Sequence, residues 1–176
     1  MKYQKGLDDW IKGKVKVLFI TGICGSGKTT YAKTIARANG AKLIELDEVR
    51  RNIKSKIAPI SDIEQKSNII VSEALLKSNE KVVVEGVEIL YCQQIINSEK
   101  FPLIIIDENL TLVACRAIYR DIIGYNALKR HPEIRLLSEK IHYIFENVVM
   151  NYTKWNYGRW KAVKEILKSN AFKKLV

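Results

Sequence analysis

The sequence predicts an α/β domain built on a parallel sheet of four strands, with room for a fifth, flanked by helices and followed by a helical C-terminal portion. Three features of the chain support this. Short, β-branched, nearly all-apolar runs recur through the first two thirds of its 176 residues. Helical stretches separate those runs, and the last third contains no comparable one. Strands covered on both faces are apolar on both. Strand–helix alternation means parallel strands joined by right-handed crossovers.

The elements follow in order. "VKVLFI" (15–20) reads as the first strand, "KLIEL" (42–46) as the second, "KVVVEG" (81–86) as the third and "FPLIIID" (101–107) as the fourth. "GKTTYAKTIARANG" (27–40) reads as a helix stopped at Gly40, a residue suited to helix ends. "SDIEQKSNIIVSEALLKSN" (61–79) opens with Ser61 and Glu64 at capping-box spacing,. Its Ile63, Ile70, Val71, Ala74 and Leu75 keep to one helical face. "VEILYCQQIINS" (87–98) is a shorter helix, and "NLTLVACRAIYRDIIG" (109–124) runs from an Asn109 cap to Gly124. Beyond Pro132, two helical pieces are expected over 132–150 and 159–170. No repeat or Pro/Gly/Ser-rich linker divides the chain. One domain over 1–176 is expected, with a lid-like segment at about 110–135 and a basic tail at about 151–176.

Composition narrows the classes. With 47% hydrophobic residues the chain can bury a core,. No apolar run approaches the ~20 residues of a bilayer span, and "MKYQKGLDDWIKG" lacks a signal-peptide core. A soluble, cytoplasmic protein without membrane insertion is expected. Cys24, Cys92 and Cys115 lack metal-type pairing and read as reduced thiols,. His131 and His142 have no partner at ligand spacing. The formal net charge is +11, and from Asn151 onward seven cationic residues face the single acid Glu165. Such a field draws polyanions, nucleotides and nucleic acids among them.

"GICGSGKT", Gly22 to Thr29, fits G-x-x-x-x-G-K-[ST] at every fixed position, between a predicted strand and a predicted helix,. Gly22, Gly25 and Gly27 let main-chain amides approach an anion closely. Those amides and the helix N-terminus form a concavity for phosphate. Lys28 can reach the β- and γ-oxygens, and the Thr29 hydroxyl can join Mg²⁺. Cys24, Ser26 and Thr30 complete the expected nucleotide-binding set. Cys24 reads either as a small filler or as a redox-sensitive thiol near a helix N-terminus.

Phosphoryl transfer also needs an acceptor site, metal support and positive charge. In an open parallel sheet these belong at the carboxyl ends of the strands. Asp47, ending "LIELD", reads as a general base or metal support, with a helix cap as the alternative. Arg50 and Arg51 can hold an anionic acceptor. Glu85, closing "VVVE", reads as metal or acceptor contact, with Glu88 in reserve. Arg116 and Arg120 lie one helical turn apart and can close over the phosphates, with Arg130 as a further candidate. Asp121 can anchor Arg120.

"GICGSGKTT", "IELDEV", "VVVEGV" and "LIIIDENLTLVACRAIYRD" together resemble the P-loop nucleoside/nucleotide kinase-like group, which includes the adenylate, uridine and shikimate kinases. The likeness covers residues 15 to about 124, and its last two segments are most similar to the uridine kinase branch. It implies a P-loop NTPase fold, ATP and Mg²⁺ as cofactors, Asp47 as general base and Arg116 and Arg120 in a lid. The chain departs from the pattern after Asp121, where "IIGYNALKRHPE" replaces an R-G element, and in lacking a recognisable fifth strand. The expected activity is transfer of the γ-phosphoryl group to a hydroxyl or phosphate of a small metabolite, a nucleoside or nucleotide foremost. A polynucleotide 5′-hydroxyl kinase is the alternative acceptor class, with Trp155, Tyr157 and Trp160 stacking bases or else packing the tail onto the core. A toxin-type sugar-nucleotide kinase is a further one, and an ATP-binding switch with a protein partner stands in another class.

Overall fold

The computed structural model describes residues 1–76, 80–123, 137–143, 145–146, 151–168 and 172–175. Strands β1 (Lys2–Lys5), β2 (Val17–Gly22), β3 (Lys42–Glu45), β4 (Val82–Glu85), β5 (Leu103–Ile106) and β6 (Lys173–Lys174) form one mixed sheet in the order β3-β4-β2-β5-β1-β6. The four strands expected from the sequence are its parallel core: β2 pairs with β4 and β5, and β3 lies beyond β4.

The sheet extends further than four or five strands. β1 runs antiparallel to β5, from Lys2 opposite Ile106 to Lys5 opposite Leu103, and β6 pairs antiparallel with β1. Neither carries an apolar run, since "KYQK" and "KK" read as solvated charge. The ladder and one lysine hold β1 in place. The buried Lys5 ammonium donates to the carbonyls of Ile95, Ile96 and Ser98, where the short helix 93–97 leaves its last acceptors unpaired,.

Alternate residues of the central strands serve opposite faces, as a two-residue period requires. Phe19, Val82, Val84, Leu103 and Ile105 pack with Ile70, Val71 and Ala74 of the helix Ile63–Leu76. Leu18, Ile20, Val83, Ile104 and Ile106 pack with Ala32 and Ala36 of the helix Lys28–Ala38 and with Trp10. The carboxyl tips of β2, β3, β4 and β5 thus stand at one rim between two cores.

Several boundaries move. The helix 63–76 is capped by Asp62 rather than Ser61: the Gln65 amide donates to Asp62 Oδ1 at 2.6 Å. Asp62 adjoins the first helical residue, as an N-cap must. The single helix expected over 87–98 is a 3₁₀ turn, Val87–Tyr91, and a helix, Gln93–Asn97, separated at Cys92. Asn109 caps the helix Leu110–Ile123 as expected, its Oδ1 accepting from the Thr111 amide at 2.8 Å; Gly124 lies outside the described residues. A helix at Leu137–Tyr143 falls inside the expected 132–150. The last one begins earlier than 159 and runs from Asn151 to Leu167, through Gly158. Among the described residues no helix is long and apolar enough to cross a membrane.

Candidate active site

The loop between β2 and the helix 28–38 has the shape of an anion cradle. A Cβ on Gly22 would meet the Ile106 carbonyl oxygen at 2.6 Å and Ser26 Oγ at 2.9 Å, so only glycine lets the loop lie against β5. Gly27 is the N-cap at φ 86° and offers no side-chain cap. The first amides of that helix therefore keep their donors for a ligand. Ser26 Oγ is buried without a partner.

Beneath the loop, Thr29 Oγ1 donates to Glu85 Oε1 at 2.9 Å, while Glu85 Oε2 is buried and unpartnered. Burial pushes the Glu85 carboxyl above its ordinary range, and Glu45 and Asp47 add to that. The Lys28 charge and the Thr29 hydrogen bond pull the other way. A hydroxyl beside an acid with an orphaned oxygen fits the protein share of a Mg²⁺ shell, the rest coming from phosphate and water. Among the described residues no group of three or more His, Cys, Asp or Glu side chains forms a metal cage by itself.

Asp47 lies in the first turn of the helix Leu46–Asn52, two places inside its Glu45 N-cap, so the helix-cap alternative does not hold. Its exposed Oδ1 accepts from Arg50 Nη2 at 2.7 Å, and Arg50 Nη1 donates to Glu88 Oε1 at 2.9 Å. Glu88 is buried, with Oε2 unpartnered. One guanidinium thus joins two carboxylates and orients Asp47. Arg51 is exposed. Gly86 leaves no open space beside Glu85, because a Cβ there would meet Leu46 Cβ at 2.6 Å and Glu88 Oε2 at 2.7 Å. Its missing side chain brings the Asp47 helix against the tip of β4.

On the other side of the loop, Arg116 pairs with Glu108 at 3.1 Å. It lines a pocket of ≈ 830 Å³ with Gly25, Ser26, Gly27, Thr30 and Tyr31. The Arg120 and Asp121 side chains and Arg130 lie outside the described residues.

Sequence reasoning missed the C-terminal helix as a wall of the site. Lys164 Nζ donates to Oδ2 of the buried Asp107, at the tip of β5, at 2.6 Å. Asn156 Nδ2 donates to the Cys24 carbonyl at 3.4 Å, and Arg159 Nη1 to Cys24 Sγ at 3.1 Å. The available signal was spacing: Asn156, Trp160, Val163 and Leu167 mark one helical stripe. Trp160 packs against the core, with the half-exposed Tyr157 stacked on it at 6.2 Å. The Trp155 side chain lies outside the described residues.

Residues 17–107 match the family model described as an AAA domain. The chain belongs to that family. The match to the AAA domain spans β2 through Asp107 and so contains the loop, Asp47, Arg50, Glu85 and Glu88. It is the P-loop kinase-like grouping that the sequence resembles. The helix carrying Arg116 and the C-terminal helix lie beyond the matched segment. Among solved structures, shikimate kinase from Acinetobacter baumannii in complex with shikimate is similar, with 16% identity and a TM-score of 0.43 over 87% of this chain and 83% of that one. No curated protein sequence matches the chain.

Proposed function

We propose that this protein is an ATP- and Mg²⁺-dependent phosphotransferase that moves the γ-phosphoryl group to a small metabolite, a nucleoside or nucleotide foremost. The Thr29–Glu85 pair, with its orphaned carboxylate oxygen at the foot of an uncapped glycine loop, carries this reading. The loop amides and Lys28 bind the terminal phosphates, and Thr29 and Glu85 hold Mg²⁺. When bound, the metal neutralises charge on the phosphate oxygens. Asp47 takes the proton of the acceptor hydroxyl. Arg50 holds Asp47 in place through its second bond to Glu88. Because Arg50 already joins two carboxylates, Arg51 is left to contact an anionic group on the acceptor. Arg116, which lines the pocket beside Gly25, Ser26 and Gly27, is on this reading a contact for the nucleotide.

The test is a screen with labelled ATP against nucleosides, nucleotides and 5′-hydroxyl oligonucleotides. One acceptor class is expected to consume ATP in step with its own phosphorylation. Lys28→Ala should abolish turnover, and Asp47→Asn should lower the rate by ~10²–10⁴ while ATP still binds. An ATP-induced change of shape with no acceptor-coupled turnover would instead identify a switch and overturn the proposal. Label appearing on oligonucleotides alone would assign the acceptor to nucleic acid.

A further inference from the structure

The C-terminal helix is anchored both to the tip of β5 and to the glycine loop itself. Val163 is buried in the core, and Lys164 is tied to Asp107 at 2.6 Å. Two turns earlier, Asn156 is 1% exposed and holds the Cys24 carbonyl, and its own Oδ1 is buried and unpartnered. Arg159 stands between these anchors, half-buried, so its guanidinium is carried by a fixed helix rather than a loose surface stem.

What Arg159 touches is a poor match for what it carries. A guanidinium presents five donors and a full charge, while a thiol is a weak acceptor. Three other cations around the site are answered by acids: Arg50 by Asp47 and Glu88, Arg116 by Glu108, and Lys164 by Asp107. Among the described residues no carboxylate pairs with Arg159. Its contact, Cys24, is the third residue of the Gly22–Thr29 cradle. Among the described residues, then, this half-buried cation held 3.1 Å from the cradle meets no counter-charge, and the cradle is built to hold an anion.

We propose that Arg159 is a catalytic residue for this transfer, an arginine supplied in cis that binds the terminal phosphate and stabilises the charge of the transferring group. The inference rests on the phosphotransferase reading. In the step, the acceptor oxygen forms a bond to the γ-phosphorus as the bond to the β–γ bridging oxygen breaks. The leaving diphosphate keeps that electron pair, and the acceptor proton passes to Asp47. Arg159 is unchanged and answers charge on the γ-oxygens. Arginines in this role contribute on the order of 10³–10⁵ in rate.

Calorimetric titration with Mg²⁺ and either a non-hydrolysable ATP analogue or ADP separates the possibilities without requiring turnover. Wild type should prefer the triphosphate. Arg159→Ala should lose on the order of 10- to 100-fold in triphosphate affinity, the scale of a charge-assisted hydrogen bond, and keep its ADP affinity. Arg159→Lys should restore part of the loss. If Arg159→Ala lowers the melting temperature, Arg159→Gln, which keeps a donor for Cys24 without the charge, is read in the same way. Wild type that prefers the triphosphate while Arg159→Ala and Arg159→Gln retain that preference overturns the role of Arg159 alone. Wild type that binds neither nucleotide overturns the phosphotransferase reading, and this inference with it.

Discussion

Glu85 is buried with one carboxylate oxygen on the Thr29 hydroxyl and the other on nothing. Burial raises its folded pKa, so the nucleotide-free protein binds more protons than the unfolded chain between the two values. Stability therefore falls as pH rises from the unfolded value, about 4.3, through the raised folded one. Glu85→Gln should remove that decline and raise the melting temperature at neutral pH, by roughly 2–4 °C for each kcal/mol relieved. It should also weaken the Mg²⁺ dependence of nucleotide binding. Calorimetric melts of both proteins from pH 4 to 8 check this, and parallel curves would show that the carboxyl imposes no cost. At this scale the sequence was most legible where chemistry is local. The eight residues Gly22–Thr29 declare a phosphate cradle because each fixed position has its own steric or charge requirement. Arg159 and Lys164 declare nothing, because they meet Cys24 and Asp107 across 135 and 57 residues. Asp107 closes "LIIID" much as Glu85 closes "VVVE", but its partner could not be read from either end.

Among the elements, the four core strands and the helix 28–38 were readable from apolar runs and period. β1 was not, because its place depends on the free edge of β5 and on carbonyls that accept from Lys5. The start of the C-terminal helix was obscured by Gly158 and by the polar residues before it, whose helical state is held by packing onto the loop rather than by propensity. The Lys164–Asp107 pair fastens that helix to the sheet. Lys164→Met keeps the stem and leaves the Asp107 carboxylate buried and unpaired. The expected cost is about 1–3 kcal/mol, or a fall of roughly 3–10 °C in melting temperature. Asp107→Asn in the same chain should recover part of it. A double-mutant cycle measures the coupling, and additive losses would mean that the helix is held by its apolar stripe alone.

For the whole molecule, the +11 net charge at pH 7 is a long-range property that no contact explains. The basic C-terminal helix lies against the glycine loop, so its field is placed to draw nucleotide toward the cradle. Raising ionic strength from low to about 0.5 M should slow association of a fluorescent ATP analogue several-fold, because screening then acts within a few ångströms. Dissociation should change little. Stopped-flow measurement distinguishes the two, and an association rate indifferent to salt would place the field away from the entrance. The loop strand β2 lies between β4 and β5, whose tips give Glu85 on one side and Asp107 on the other. The first acid faces the foot of the loop, and the second is held by the helix that touches Cys24. The seam between that helix and the loop is therefore separate from the Glu85 side. A compound that parted Asn156 from Cys24 there would pull the helix off the cradle without resembling a nucleotide.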